Sequence, residues 1–207
     1  MFKSIKSLFT KSINKYSLYK SVGLQGDRYL SASGYLSQAE FSLYANRGIN
    51  KRAEKVGQTE FVLKNRKNDE VITNHELLNL LDRPNERMTG NTFWALASKY
   101  HDIAGFALIR KIGNNAVFTD SKKITKLELI NPIGVTINYN ENGDILSFSY
   151  IDEITGKTNT ALYDECIYWV RPDPKKPTEG ESLLRAGLRQ IDTDNKLVSY
   201  QNSVISN

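Results

Sequence analysis

Asn74-His75-Glu76-Leu77-Leu78-Asn79-Leu80-Leu81-Asp82-Arg83-Pro84-Asn85-Glu86-Arg87-Met88-Thr89-Gly90-Asn91-Thr92-Phe93-Trp94, continued by Ala95-Leu96-Ala97-Ser98-Lys99-Tyr100-His101-Asp102-Ile103-Ala104-Gly105-Phe106-Ala107-Leu108, is the stretch from which the rest of the chain is read. It spells a short apolar helix, a Pro-Asn break, a longer amphipathic helix, a glycine stop and a strand. Thr73 and Glu76 have the spacing of a capping box, and Ile72 and Leu77 that of a hydrophobic staple. Pro84 disfavours helical geometry at Arg83 and ends the first helix there. Thr89 is the second cap, with Met88 and Phe93 repeating the staple. Phe93, Leu96, Ala97, Tyr100 and Ile103 then share one helical face. Gly105 can take the left-handed geometry that stops a helix, and Phe106-Ala107-Leu108-Ile109 reads as strand.

This order is scaffolding rather than chemistry. Leu-Leu, then Arg83-Pro84-Asn85, Met88-Thr89, a helix led by Phe93, and Gly105-x-Ala107 resembles the portal proteins of tailed bacteriophages, where the segment lies in the wing of a ring subunit.

Working backwards, Ser37 with Glu40 has capping-box spacing and Leu36 with Phe41 staple spacing, so a helix is expected over 37–57. It would bury Ala39, Leu43, Ile49, Ala53 and Val56, keep Arg47, Lys51, Arg52, Glu54 and Lys55 wet, and end at Gly57. A strand over Glu60–Lys64 and a polar linker from Asn65 to Glu70 follow. Residues 21–36, rich in Ser, Gly and Tyr, read as loop.

Working forwards, residues 106–170 are mostly β. Lys126–Ile130 is a strand ending in the turn signal Asn131-Pro132. Val135–Tyr139 and Ile145–Tyr150 flank Asn142-Gly143, a strong hairpin signal. A further hairpin turns near Gly156-Lys157. Cys166–Val170 is an aromatic strand before a Pro-rich loop, Arg171 to Pro177. The last helix is expected over 182–206, from Gly180-Glu181-Ser182, with Ser182 as cap. Portals commonly have proline where Leu183 stands. Leu184, Leu188, Ile191, Asn195, Val198, Asn202 and Ile205 step by four and three along it. The two asparagines make that seam too polar for a dry coiled coil.

The 207 residues, 40% apolar and 25% charged, read as one soluble globular domain with appendages. A single cysteine excludes an internal disulfide framework and suits a reducing cytosol. No apolar run approaches the length of a membrane span. The net charge of +5 resides in residues 1–26, which carry Lys3, Lys6, Lys11, Lys15 and Lys20 and no acid. The remainder, 27–207, holds 23 of the 28 basic residues against all 23 acids and is formally neutral. Phe2, Ile5, Phe9 and Ile13 could give this arm an amphipathic face. It reads as an arm that orders against a neighbouring subunit, with lipid or nucleic-acid contact through the lysines as the other reading.

No motif supports catalysis. Thr155-Gly156-Lys157-Thr158 imitates the end of a phosphate-binding loop, but the loop's first glycine would fall at Ile151, and the segment lies between strands. His101-Asp102 resembles a metal-binding pair, yet the chain's other histidine is His75 alone, so both read as helix-surface polar residues. Asp173, Glu179, Asp192 and Asp194 have no spacing for a shared metal. Cys166 reads as a buried structural thiol, and Ser182 lacks the second glycine of a nucleophile elbow.

The expected fold is α+β, with antiparallel strands and hairpins packed against helices at 37–57, 74–82, 89–104 and 182–206. The expected organisation is a basic arm and loop over 1–36 and a wing-like domain over 37–207, cut before the stem and clip. The resemblance implies a structural subunit of a dodecameric ring at one capsid vertex, a channel for DNA packaging and ejection. It also implies contacts with the large terminase subunit, capsid, scaffold and head-completion or tail proteins, and with double-stranded DNA in the channel. The implied location is the virion, with host cytoplasm during assembly. No cofactor, metal or small-molecule substrate is implied. The alternative is a DNA- or membrane-surface-binding module acting through the basic arm. The resemblance rests on Arg83, Pro84, Asn85, Met88, Thr89, Phe93, Gly105, Ala107, Asn131, Pro132, Gly180 and Ser182.

Overall fold

The computed structural model describes residues 43–113 and 124–187, with Leu197, Tyr200, Gln201, Ser203 and Val204 further on. The lysines of the arm, the 37–40 capping box, Leu36, Ala39 and Phe41, the seam residues Leu188, Ile191, Asn195, Val198, Asn202 and Ile205, and Asp192 and Asp194 lie outside the described residues.

Within them the fold is α+β, in three layers. Helices α1 (Leu43–Gly57), α2 (Glu76–Asp82) and α3 (Gly90–Ala104) form the first. Strands β3 (Phe106–Gly113), β4 (Ile124–Ile130) and β8 (Cys166–Val170) form the second, an antiparallel sheet in the order β4-β3-β8. Strands β5 (Thr136–Tyr139), β6 (Ile145–Ile151) and β7 (Thr158–Leu162) form the third, an antiparallel meander. Two short ribbons complete it, β1 (Leu63–Lys64) with β2 (Val71–Ile72) and β9 (Pro172–Asp173) with β10 (Lys176–Gly180).

The middle sheet is covered on both faces along its central strand β3, whose successive side chains point to opposite sides. Ile109 of β3 pairs with Leu129 and packs with Leu127 against Phe93 of α3. Leu108, one residue earlier, pairs with Ile130 and packs with Phe148, Tyr150 and Ala161 of the outer meander. A strand apolar at consecutive positions is what a sheet covered on both sides requires.

Helix α1 buries Ile49 and Ala53 against α3, as its periodicity implies. Gly57 ends the helix as expected and has a second role. A Cβ there would sit 2.5 Å from the Asn91 carbonyl oxygen, so the glycine lets the two helices touch. Thr89 caps α3 by accepting from the Thr92 N–H, Met88 and Phe93 share one core cluster, and Gly105 ends the helix at φ 84°.

Four expectations need correction. The cap of α2 is His75, whose Nδ1 accepts from the Leu77 N–H at 3.0 Å; Thr73 lies in the irregular link between β2 and α2, and Ile72 loses its staple register. The strand at 60–64 is only two residues long and turns back through 65–70 to pair with β2, because Asn65 Oδ1 and the Asn65 carbonyl gather the turn's amides. The Pro-rich loop after β8 is a ribbon; Pro172 starts one strand, Pro174 lies in the turn and Pro177 is exposed on the other strand, positions where no ladder donor is needed. No α-helix starts at Ser182. Residues 183–184 turn into a 3₁₀ segment, Arg185–Gly187: the Arg185 and Gly187 amides bond three residues back, to the Ser182 and Leu184 carbonyls, while Ser182 Oγ still accepts from the Leu184 amide as a cap would. Helical geometry is seen again at Leu197, Tyr200, Gln201, Ser203 and Val204.

Candidate functional site

Two joints hold the layers together, and both are built from residues singled out in the sequence.

The first is the Pro-Asn break. Pro84 is fully buried, and its carbonyl accepts from the Leu127 N–H of β4 at 2.8 Å. Asn85 Nδ2 donates to the Leu127 carbonyl at 3.0 Å, so the pair brackets one residue of the sheet like a rung of a neighbouring strand. Asn85 Oδ1 accepts from the Arg87 and Met88 amides, each at 2.9 Å, which fixes the turn into α3. Trp94 Nε1 donates to the Leu81 carbonyl at 3.0 Å and satisfies an end of α2. Gly90 is required by closeness: a Cβ would meet the Leu81 and Asp82 carbonyl oxygens at 2.6 and 2.7 Å. Arg83 stays exposed, beside Glu86, Thr125 and Lys126.

The second joint lies at the other end of α3. A Cβ on Gly105 would fall 2.5 Å from the backbone of Gly180 and Glu181, and one on Gly180 would fall 2.6 Å from Gly105. The two glycines thus meet backbone to backbone. The Arg171 N–H donates to the Gly105 carbonyl and the Leu183 N–H to the Asp102 carbonyl, at 2.8 and 2.9 Å. Ala107 is fully buried one residue into β3, and Ser182 Oγ accepts from Leu184. Asn131 and Pro132 stand apart, in the β4–β5 turn. There Asn131 Oδ1 accepts from the Ile133 N–H while its Nδ2 donates to Glu153.

At the heart of the second joint lies a pair misplaced by sequence reasoning. His101 and Asp102 are buried, not on the helix surface, because α3 is covered by α1 on one side and the middle sheet on the other. Arg171 Nη2 donates to Asp102 Oδ1 at 3.0 Å and lies 3.5 Å from His101 Nδ1. Arg52 Nε, from the expected wet face of α1, approaches Asp102 Oδ2 to 3.5 Å. The His101 ring stacks on Trp169 with centroids 4.5 Å apart. Burial pushes the Asp102 carboxyl up, but His101, Arg171 and Arg52 outweigh it and hold the group below the usual aspartate range. The overlooked signal was the company of Asp102: Ala97, Ile103 and Ala104 place it within an apolar turn, where a charge needs a partner.

The remaining candidates keep their plain readings. Lys157 is exposed in the β6–β7 hairpin, strand on both sides, with Gly156 at φ 67°. Cys166 is buried in β8, where burial and then Glu165 push its thiol to about 11, leaving no thiolate for chemistry. Asp173 pairs with Arg185 at 2.9 Å and Glu179 with Lys176 at 3.1 Å. Among the described residues no group of His, Cys, Asp and Glu could hold a metal ion, and no helix is long and apolar enough to cross a membrane.

The joints define a class: a layered domain whose distinctive residues hold backbones together. The chain belongs to the phage portal protein family, whose sequence profile matches residues 44–207. No curated protein matches the sequence at a significant level. Among solved structures the fold is similar to a chain in the neck of an empty GTA particle computed with C6 symmetry, at TM-score 0.74 and 12% identity over 93% of this chain and 51% of that one. It is similar also to a chain in the virion of a native gene transfer agent (GTA) particle, at TM-score 0.71 and 12% identity, covering 93% and 50%. A third, from the neck of a native GTA particle computed with C12 symmetry, gives 0.64 and 12% over 92% and 50%. The chain therefore spans about half the length of these solved relatives.

Proposed function

We propose that this chain supplies the wing-like part of a structural subunit in a phage-type portal ring. The ring would occupy one capsid vertex as the head-tail connector of the virion, pass DNA during packaging and ejection, and dock the large terminase subunit, scaffold, capsid and head-completion or tail proteins. The observation that carries this is the family match over 44–207, which takes in both joints. Solved relatives from particle necks with C6 and C12 symmetry support a closed ring, the usual form of a homo-oligomer. The formally neutral 27–207 body suits an outer wing better than a channel lining that must attract phosphate. The chain is read as non-enzymatic, a division into arm (1–36) and wing (37–207) belongs to the proposal, and the motif residues act by holding backbone geometry.

Light scattering and negative-stain imaging test it. A subunit carried to the full length of its solved relatives should form closed rings of about twelve copies; one that stays monomeric at every concentration overturns the reading. The five lysines of residues 1–26 support a second reading, a nucleic-acid or lipid contact made by the arm. Salt-sensitive DNA or vesicle binding that disappears on deleting 1–26 would establish it.

A further inference from the structure

Among the described residues, the bonds of residues 171–187 are made largely within the segment itself. Strands β9 and β10 pair, the Glu181 N–H donates back to the Arg171 carbonyl, and Arg185 Nη1 donates to both Asp173 Oδ2 and Glu181 Oε1 at 2.9 and 3.1 Å. Ser182 closes the end by accepting from Leu184 and Arg185. Among the described residues, backbone bonds from this segment to the body fall on the last turn of α3 and its cap. Asp102 receives the Arg171 side chain on its carboxylate and the Leu183 amide on its carbonyl, and Gly105 receives the Arg171 amide. Tyr139 and Tyr168 add hydroxyl contacts to Thr178.

Asp102 is a poor choice for α3 itself. A carboxylate in the last turn of a helix opposes the helix dipole, and a fully buried charge is costly unless paired. Its position makes sense as an attachment. The groups facing it are His101 from its own helix, Arg52 from α1 and Arg171 from the segment it holds. Asp102 Oδ2 and Arg171 Nη1 are buried without a hydrogen-bond partner, so the pairing is not saturated.

We propose that residues 171–187 form a strap that opens as a unit about the end of β8, with the Asp102–Arg171 pair as its latch. When the latch is neutralised, the bonds between strap and α3 part first, while the bonds inside the strap persist.

Amide hydrogen exchange on the 207-residue chain, wild type against Asp102→Asn, tests this. The Arg171 and Leu183 amides should exchange roughly ten- to a hundred-fold faster, the loss of one charge-assisted bond. The Glu181 amide, inside the strap, and the β3–β4 ladder should keep wild-type protection. Unchanged protection at Leu183 would overturn the latch. Equal acceleration at Leu183, Glu181 and β3 would overturn the strap, since Asp102 would then stabilise the fold as a whole. If Asp102→Asn does not fold, Arg52→Gln removes the outer, exposed partner. A smaller acceleration confined to Arg171 and Leu183 then supports the proposal, and a uniform change or none overturns it.

Discussion

Gly105 shows what one residue can be asked to do. It ends α3 in the left-handed region and lies against the backbone of Gly180, so a side chain is excluded twice. Gly143 offers the control, with φ 86° and open space around its missing Cβ. Gly143→Ala should destabilise by about 1–2 kcal/mol, the left-handed penalty alone. Gly105→Ala should cost clearly more, because the Gly180–Glu181 backbone must also move; urea denaturation of both variants measures the difference. Asp102 gives a pH dependence. Its carboxyl titrates below the ordinary range, so its stabilisation is complete above about pH 3.9 and is lost as pH falls through the lowered value. Thermal melts across acidic pH should show a steeper acid limb for the wild type than for Asp102→Asn. Removing Arg171 instead, by Arg171→Ala, should cost about 3–5 kcal/mol at neutral pH, as expected when a buried pair loses one member.

At the scale of elements, the hairpins were legible because their turns are chemical. Asn140 Oδ1 accepts from the Asn142 and Asp144 amides around Gly143, and Asp152 Oδ1 does the same for Ile154 and Thr155 before Gly156. The cap of α3 was legible for the same reason. The β9–β10 ribbon was not, since prolines hide short strands from a reading based on β propensity. His75 as a cap was missed because imidazole is an uncommon acceptor at a helix start. Lys157→Ala, on the exposed β6–β7 turn, should change stability by no more than about 0.5 kcal/mol, and the chain should show no ATP hydrolysis for it to abolish. A measurable ATPase lost in that variant would contradict the structural role.

For the whole molecule, element order could be read from the sequence, but layering could not. Nothing in the helical periodicity of α3 shows that it is covered on two sides, which is why Ser98, His101 and Asp102 are buried while Leu96 and Tyr100 are only half-buried. That depends on α1 and the middle sheet closing from opposite directions. The interior between the two sheets centres on Phe148, fully buried and in ring contact with Tyr168 at 5.1 Å. Phe148→Ala should cost about 3–5 kcal/mol, whereas Leu146→Ala, exposed on the same strand, should cost far less. Chemical denaturation followed by circular dichroism distinguishes them.

The bracket of Pro84 and Asn85 on Leu127 has a consequence for life in a crowd. Strand β4 is the border of its sheet, and a border with free amides and carbonyls invites another molecule to add a strand. Here the middle of that border is already occupied, by the carbonyl of a proline, which has no N–H of its own, and by a side chain that cannot propagate a ladder. Where many identical chains are held shoulder to shoulder, such a stopper keeps neighbours from fusing through their sheets. Asn85→Ala should reopen half of it, raising the rate of self-association on warming more than its loss of stability alone would explain.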